Sequence, residues 1–188
     1  LDATINSKQS EFAAFEKDSS LYFSSLRVPE RKTPPKDVEE ALMEANKVYF
    51  SKIYRSDIKN QKWKKIKVLD TTINSNYFHS ANTCFSPDNK HMVISRCSSL
   101  NASDFKCELF VSSYENKKWL PPVKMQEPVN QPSVSTTQPN FGIMNGKTVL
   151  FFSSDRPGGE GGLDIWYSVM NEKGMYEKPV NAGKRINT

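Results

Sequence analysis

The sequence predicts an all-β fold assembled from repeated four-stranded antiparallel units. Three observations carry that prediction. A short phrase recurs along the 188 residues at near-constant spacing. Each copy holds four β-rich runs separated by turn residues. No copy shows the 3.6-residue apolar period that a helical repeat requires.

The recurring phrase reads LDATINS at 1–7 and LDTTINS at 69–75, then PVNQ at 128–131 and RINT at 185–188. With Ile5, Ile73, Val129 and Ile186 as anchors, the spacings are 68, 56 and 57 residues. After each anchor an aromatic closes a short apolar segment: Phe15, Phe85, Phe141. A turn follows at Lys17-Asp18-Ser19, Pro87-Asp88-Asn89 and Asn145-Gly146, residue types that tolerate the positive φ of tight hairpins. The second run is Leu21–Ser25, His91–Ser95 and Val149–Ser153. The third is Val48-Tyr49-Phe50-Ser51, Leu109-Phe110-Val111-Ser112 and Ile165-Trp166-Tyr167-Ser168. A polar turn and an aromatic complete the copy at Trp63, Trp119 and Tyr176.

The second and third runs are continuously apolar, as strands buried on both faces are. The fourth is lysine-rich and alternating, as a solvent-facing edge is. Four antiparallel strands repeated radially form a β-propeller blade. The chain therefore reads as a single partial β-propeller domain over 1–188: three blades at about 1–68, 69–124 and 125–181, with 182–188 starting a fourth. A short helical insertion is expected at Asp37–Lys47, after Pro34-Pro35 and with acidic residues in its first turn. Three blades do not close a ring, since propellers use about four to eight. Further blades are expected from an unobserved remainder or from another chain.

Composition narrows the function. The formal net charge is +5 with both signs interspersed. Lys62, Lys64, Lys65 and Lys67 read as an outer edge strand guarded by lysines, against a patch for nucleic acid or another acidic polymer. Nucleic acid is therefore not an expected partner. Cys84, Cys97 and Cys107 form no CxxC or Cys/His metal spacing, and His79 and His91 are isolated, so no metal, cofactor or catalytic residue is expected. No apolar run approaches the ~20 residues of a membrane span. The chain begins at Leu without a visible signal peptide, which suggests a mature or excised piece of something longer.

Residues 151–168, FFSSDRPGGEGGLDIWYS, resemble the signature of TolB-type, WD-like propeller repeats found in cell-envelope proteins of the Bacteroidota. Those repeats run from F-x-S-D-R through a glycine-rich turn to D-I-W. The first copy keeps Phe23-Ser24-Ser25 and Arg27 but has Leu26 in place of Asp. The second keeps Ser95 and Arg96. The resemblance implies a non-catalytic periplasmic or outer-membrane-associated module that binds or scaffolds other envelope proteins. It places the chain near PorE-like components of type IX secretion and propellers joined to OmpA-type domains. Peptidoglycan would be reached only through a domain these 188 residues do not hold.

The candidate site is the link between second and third strands. In the third copy it is Arg156-Pro157-Gly158-Gly159-Glu160-Gly161-Gly162, flanked by Asp155 and Asp164. Its glycines permit tight turns, with Asp and Arg pairing to hold the loop. The alternatives are a partner contact or a Ca²⁺ site using Asp155, Glu160 and Asp164. In the second copy Cys97 and Cys107 flank the same link, where neighbouring antiparallel strands bring them within disulfide reach, two free thiols being the alternative. Cys84 is expected to be a buried thiol. Trp63, Trp119 and Trp166, the last matched to Phe50 and Phe110, are expected in packing, with a carbohydrate platform as the alternative. Asn101-Ala102-Ser103 forms a glycosylation sequon of little weight. All three links are expected on one rim. A glycosidase- or sialidase-like or glycan-binding propeller remains the competing function, although the S-x-D-x-G-x-T-W box is absent.

Overall fold

Residues 3–27, 37, 38, 41, 49–99 and 105–188 are described by the computed structural model. They form an all-β chain of three antiparallel sheets. The first holds β1 (Glu11–Lys17), β2 (Ser20–Ser25), β3 (Lys52–Lys59), β4 (Lys62–Trp63) and β5 (Lys67–Val68). The second holds β6 (His79–Phe85), β7 (His91–Ser99), β8 (Phe105–Glu115), β9 (Lys118–Trp119) and β10 (Val123–Lys124). The third holds β11 (Thr136–Met144), β12 (Lys147–Ser154), β13 (Asp164–Val169) and β14 (Val180–Asn181). Each sheet runs in chain order from its first strand to a short outer edge. The outer edge is split: β4 and β5 both pair β3, β9 and β10 both pair β8, and the third sheet has a Met170–Tyr176 bridge before β14. The lysine run lies along the first of these edges.

The expected helix over 37–47 is not among the described elements; apart from Asp37, Val38 and Ala41 it lies outside the described residues, as does the Asn101-Ala102-Ser103 sequon. The third strand of the first sheet also differs from expectation. It is Lys52–Lys59, not the run at 48–51, because Ile53 pairs with Ser24 as Leu109 pairs with Ser95 and Ile165 with Ser153. Trp166 therefore corresponds to Tyr54 and Phe110, not to Phe50. Phe15 is one step off as well. It pairs with Tyr22, whose equivalents are Val93 and Phe151, whereas Phe85 and Phe141 pair with Met92 and Leu150 and so stand one position later on their own strands. A one-residue step turns a side chain to the opposite face, and Phe15 accordingly lies 5.6 Å from Phe85 on the next sheet.

Local chemistry explains the turns. Asn145 and Gly146 both have positive φ and join β11 to β12; Asn60-Gln61 and Asn116-Lys117 do the same at β3–β4 and β8–β9. Two successive positive φ values match the right-handed twist of the flanking strands. The first strand of each sheet also carries a bulge, with Ala13, Asn82 and Gln138 at φ 51–52°. The bulge turns a backbone N–H out of the ladder. Asn82 N then donates to Ser24 Oγ at 3.0 Å and Gln138 N to Ser95 Oγ at 3.2 Å, tying each sheet to the one before.

The anchor phrase works through its asparagine. Asn74 accepts from Ile53 N at 2.8 Å and donates to the Ile53 and Leu69 carbonyls. Asn130 treats Leu109 and Met125 alike, and Asn187 makes the same two bonds to Ile165. A buried amide thus serves as strand partner for one residue of each third strand. The core lies between sheets. Tyr22, Ile53 and Ile73 meet Phe85, Met92 and Ile94; Val93, Leu109 and Val129 meet Leu150, Phe152 and Trp166.

Candidate functional site

The links between second and third strands leave the sheets at one end, and there the three sheets line a cleft of about 460 Å³. Its wall is formed by Phe12 and Leu26 of the first sheet, Cys97, Phe105 and Cys107 of the second, and Asp155 and Leu163 of the third. Phe105 and Leu163 are about half exposed. Antiparallel register sets Cys97 directly opposite Cys107, and the two are bridged, with Cα atoms 4.0 Å apart. Cys84 is a buried free thiol whose pKa burial pushes up.

His79 lines this cleft as well. Its Nδ1 accepts from Ser51 N at 3.1 Å, which places the ring proton on Nε2. The ring meets Phe50 and Phe105 edge-on, with centroids 5.1 and 5.5 Å away. Burial, assisted by the Lys52 charge, lowers its pKa. The imidazole is therefore a neutral, aromatic part of the wall at pH 7.

The glycine-rich link is pinned from below. Asp164 is buried, and its carboxylate accepts from the backbone N–H of Glu160, from Gly161 N at 3.2 Å and from Asn181 Nδ2 at 3.0 Å. A side chain at Gly159 would collide with that carboxylate, and one at Gly161 with the Thr188 carbonyl. Gly158, at φ 91°, makes the turn that only glycine enters freely. Gly162 has open space around it, and Glu160 reaches toward Lys184 at 3.9 Å.

Arg156 is 5% exposed and does not pair with either flanking aspartate. It donates to the Val129 carbonyl at 2.6 Å, the Pro128 carbonyl at 3.3 Å and Ser154 Oγ at 3.1 Å, and lies over the Phe152 and Trp166 rings. Arg27 repeats this arrangement with the Ile5 carbonyl, Ser25 Oγ, Phe23 and Tyr54. Arg96 does so with the Ile73 carbonyl and Phe110, although it sits two register positions earlier. Burial lowers the pKa of both Arg96 and Arg156, but an arginine stays charged throughout the working range of pH.

Of the residues expected at the link, Asp155, Cys97 and Cys107 come together at the cleft. Asp155 accepts from Ser135 N at 2.6 Å. Arg156 and Asp164 turn inward, and the glycines with Glu160 form the lip rather than the lining. The carboxylates of Asp155, Glu160 and Asp164 are thus engaged by three separate sets of partners. Among the described residues, no group of three or more His, Cys, Asp or Glu side chains gathers as metal ligands do. Phe105 and His79 went unrecognised in the sequence. Phe105 lies two residues before Cys107 and was findable from its link, whereas nothing local marks His79.

No known protein family matches the chain, and no curated protein matches it.

Proposed function

We propose that the three sheets are blades of a β-propeller of the TolB-type, WD-like kind, and that the cleft at their linked end docks an apolar side chain of another envelope protein. The carrying observation is the cleft itself. Residues at the described ends of all three links border it, and most of its lining is apolar, with a few polar atoms from Ser51, Asn82, Ser135, Thr137 and Asp155 to orient a ligand. That balance is what recognition sites use: a concave apolar surface for affinity and a few polar groups for direction. A wall stiffened by a disulfide presents the surface with little ordering cost. The bridge also favours an oxidising compartment, in keeping with a periplasmic or outer-membrane-associated scaffold, which includes assemblies for type IX secretion and peptidoglycan anchoring.

Peptide display against the intact chain tests this reading. The expected selection is peptides with one large apolar anchor. Phe105→Asp should weaken them at least about tenfold, the effect of losing roughly 1.4 kcal/mol of contact. Failure to select any such peptide would remove the proposal.

A second reading, a glycan-binding or carbohydrate-active propeller, has one observation in its favour. At the opposite end of the sheets Tyr22, Tyr114 and Trp119 share a polar cleft with Arg55, Asp57 and Asp88. Aromatic faces beside paired donors and acceptors suit a sugar. Binding on a glycan array, abolished by Trp119→Ala and indifferent to Phe105→Asp, would move the function there.

A further inference from the structure

We propose that the groove between the second and third sheets, at the end away from the links, binds a small aromatic amine. The two junctions between sheets can be compared position by position. On one wall of the first junction, Tyr22 of β2 stands opposite Arg55 of β3; in the second, Val93 of β7 stands opposite Val111 of β8. Facing them are Phe85 and Trp119 in the first junction and Phe141 and Tyr176 in the second, again at equivalent positions. The Tyr22 ring lies 4.7 Å from Phe85. The Arg55 guanidinium lies over Tyr22 at 5.7 Å and donates to Asp57 at 2.7 Å. A ring, a cation and a carboxylate are thus built into the first junction. In the second, valine replaces both the ring and the cation.

The second junction holds a groove of about 420 Å³. Val111, Met125, Phe141, Met170 and Tyr176 give it an apolar lining. Methionines adapt their shape and make favourable contacts with ring edges. A mostly apolar hollow with a few polar groups is the usual form of a small-molecule site. Asp88 is the acidic side chain of the lining, and among the described residues no lysine or arginine lines it. Its Oδ1 accepts from Ser86 Oγ at 2.5 Å and from Lys90 N at 3.0 Å, and faces His91 Nδ1 at 4.0 Å. Its Oδ2 has no hydrogen-bond partner among the described residues. The bonds from Ser86 and Lys90 lower its pKa, so it is a carboxylate at pH 7. The groove therefore fits what the first junction supplies from its own chain: a flat ring with a positive charge beside an acid. None of its lining belongs to the links or to the terminus at Thr188.

Tryptamine, titrated against the intact chain with isotope-labelled methionine methyls and followed by NMR, tests the proposal. The Met125 and Met170 methyls should shift together, with a dissociation constant of about 1 mM or tighter. Met92, in the core of the first junction, should not move. Val111→Arg restores the side chain of the first junction and should weaken binding at least about tenfold. Asp88→Asn keeps the oxygen that accepts from Ser86 and Lys90. It should weaken tryptamine about fivefold, the most an exposed ion pair returns, and leave binding of uncharged indole unaltered. Asp88→Asn decides the matter if Val111→Arg fails to fold. Tryptamine that moves neither methyl at about 10 mM, well above the expected constant, overturns the proposal. So does binding that either folded variant leaves intact, and so does indolepropionate that binds as tightly as the amine. None of these outcomes bears on the cleft at the linked end, whose test reads peptide binding.

Discussion

The second and third sheets close the same link by different chemistry. Between β7 and β8 the chain leaves at Cys97 and returns at Cys107, and one covalent bond joins the two strands. Between β12 and β13 no covalent bond is available. Arg156 ties the start of the link to the Pro128 and Val129 carbonyls, and Asp164 holds its lip through two backbone N–H groups. The register of the flanking strands is the same in both, so the sheet itself demands only that the link be shut. The covalent closure tolerates any sequence between the cysteines but depends on redox state. The polar closure needs no oxidant but constrains the link to glycine at Gly159, where a side chain would displace the carboxylate.

The comparison breaks most easily at Arg156. Replacing it by Met keeps the length and removes the donors, leaving buried carbonyls without partners. The expected loss is about 3–4 kcal/mol, read as a fall in the denaturation midpoint. Arg96→Met should cost less, about 1–2 kcal/mol, because its bonds are 3.3 Å or longer and its link is already bridged. Equal losses would mean that the disulfide does not share the work. Asp164→Ala comes next, at about 2–3 kcal/mol; hydrogen exchange should then open Glu160 and Gly161 first while β12 and β13 stay protected. Reducing the Cys97–Cys107 bridge should cost about 2 kcal/mol by releasing a short loop. A thermal midpoint unmoved by reductant would show that the second link is held by its strands alone.

Much of this architecture is legible in the residues. Asn145-Gly146 marks its hairpin, and Trp63, Trp119 and Tyr176 occupy equivalent edge positions, pairing with Ile58, Tyr114 and Met170. What escapes reading has physical causes. The run at 48–51 is as apolar as the strand beside it, and pattern alone does not choose between neighbours. The bulge at Ala13 is invisible because alanine carries no preference for positive φ; only register reveals its kinship to Asn82 and Gln138. The arginines hide for another reason. A long side chain reaches the same carbonyl from two places on a strand, so Arg96 matches Arg27 and Arg156 in space but not in alignment. At the link, glycine content announced a constrained loop, but the inward turn of Arg156 and Asp164 depends on Val129 and Asn181, which are distant in sequence.

The first sheet extends the comparison to an ion pair. Arg27 reaches the Ile5 carbonyl and Glu11 Oε1, the latter at 2.7 Å, and both side chains are less than 15% exposed. Burial works against the Glu11 charge, but hydrogen bonds from Ser7, Arg27 and Ser25 outweigh it and hold its pKa at about 2, below an ordinary 4.5. A carboxyl depressed in this way stabilises the fold fully above its unfolded pKa and loses that contribution as pH falls from 4.5 toward 2. Neither the disulfide of the second sheet nor the arginine of the third has this dependence. Glu11→Gln should therefore cost about 1–2 kcal/mol at pH 7, a figure kept low because the pair lies near the surface. The gap between wild type and variant should close as the solution is acidified through that window. Paired denaturation curves at pH 7, 4 and 2 measure it; a gap that stays constant would mean Glu11 acts by packing rather than by charge.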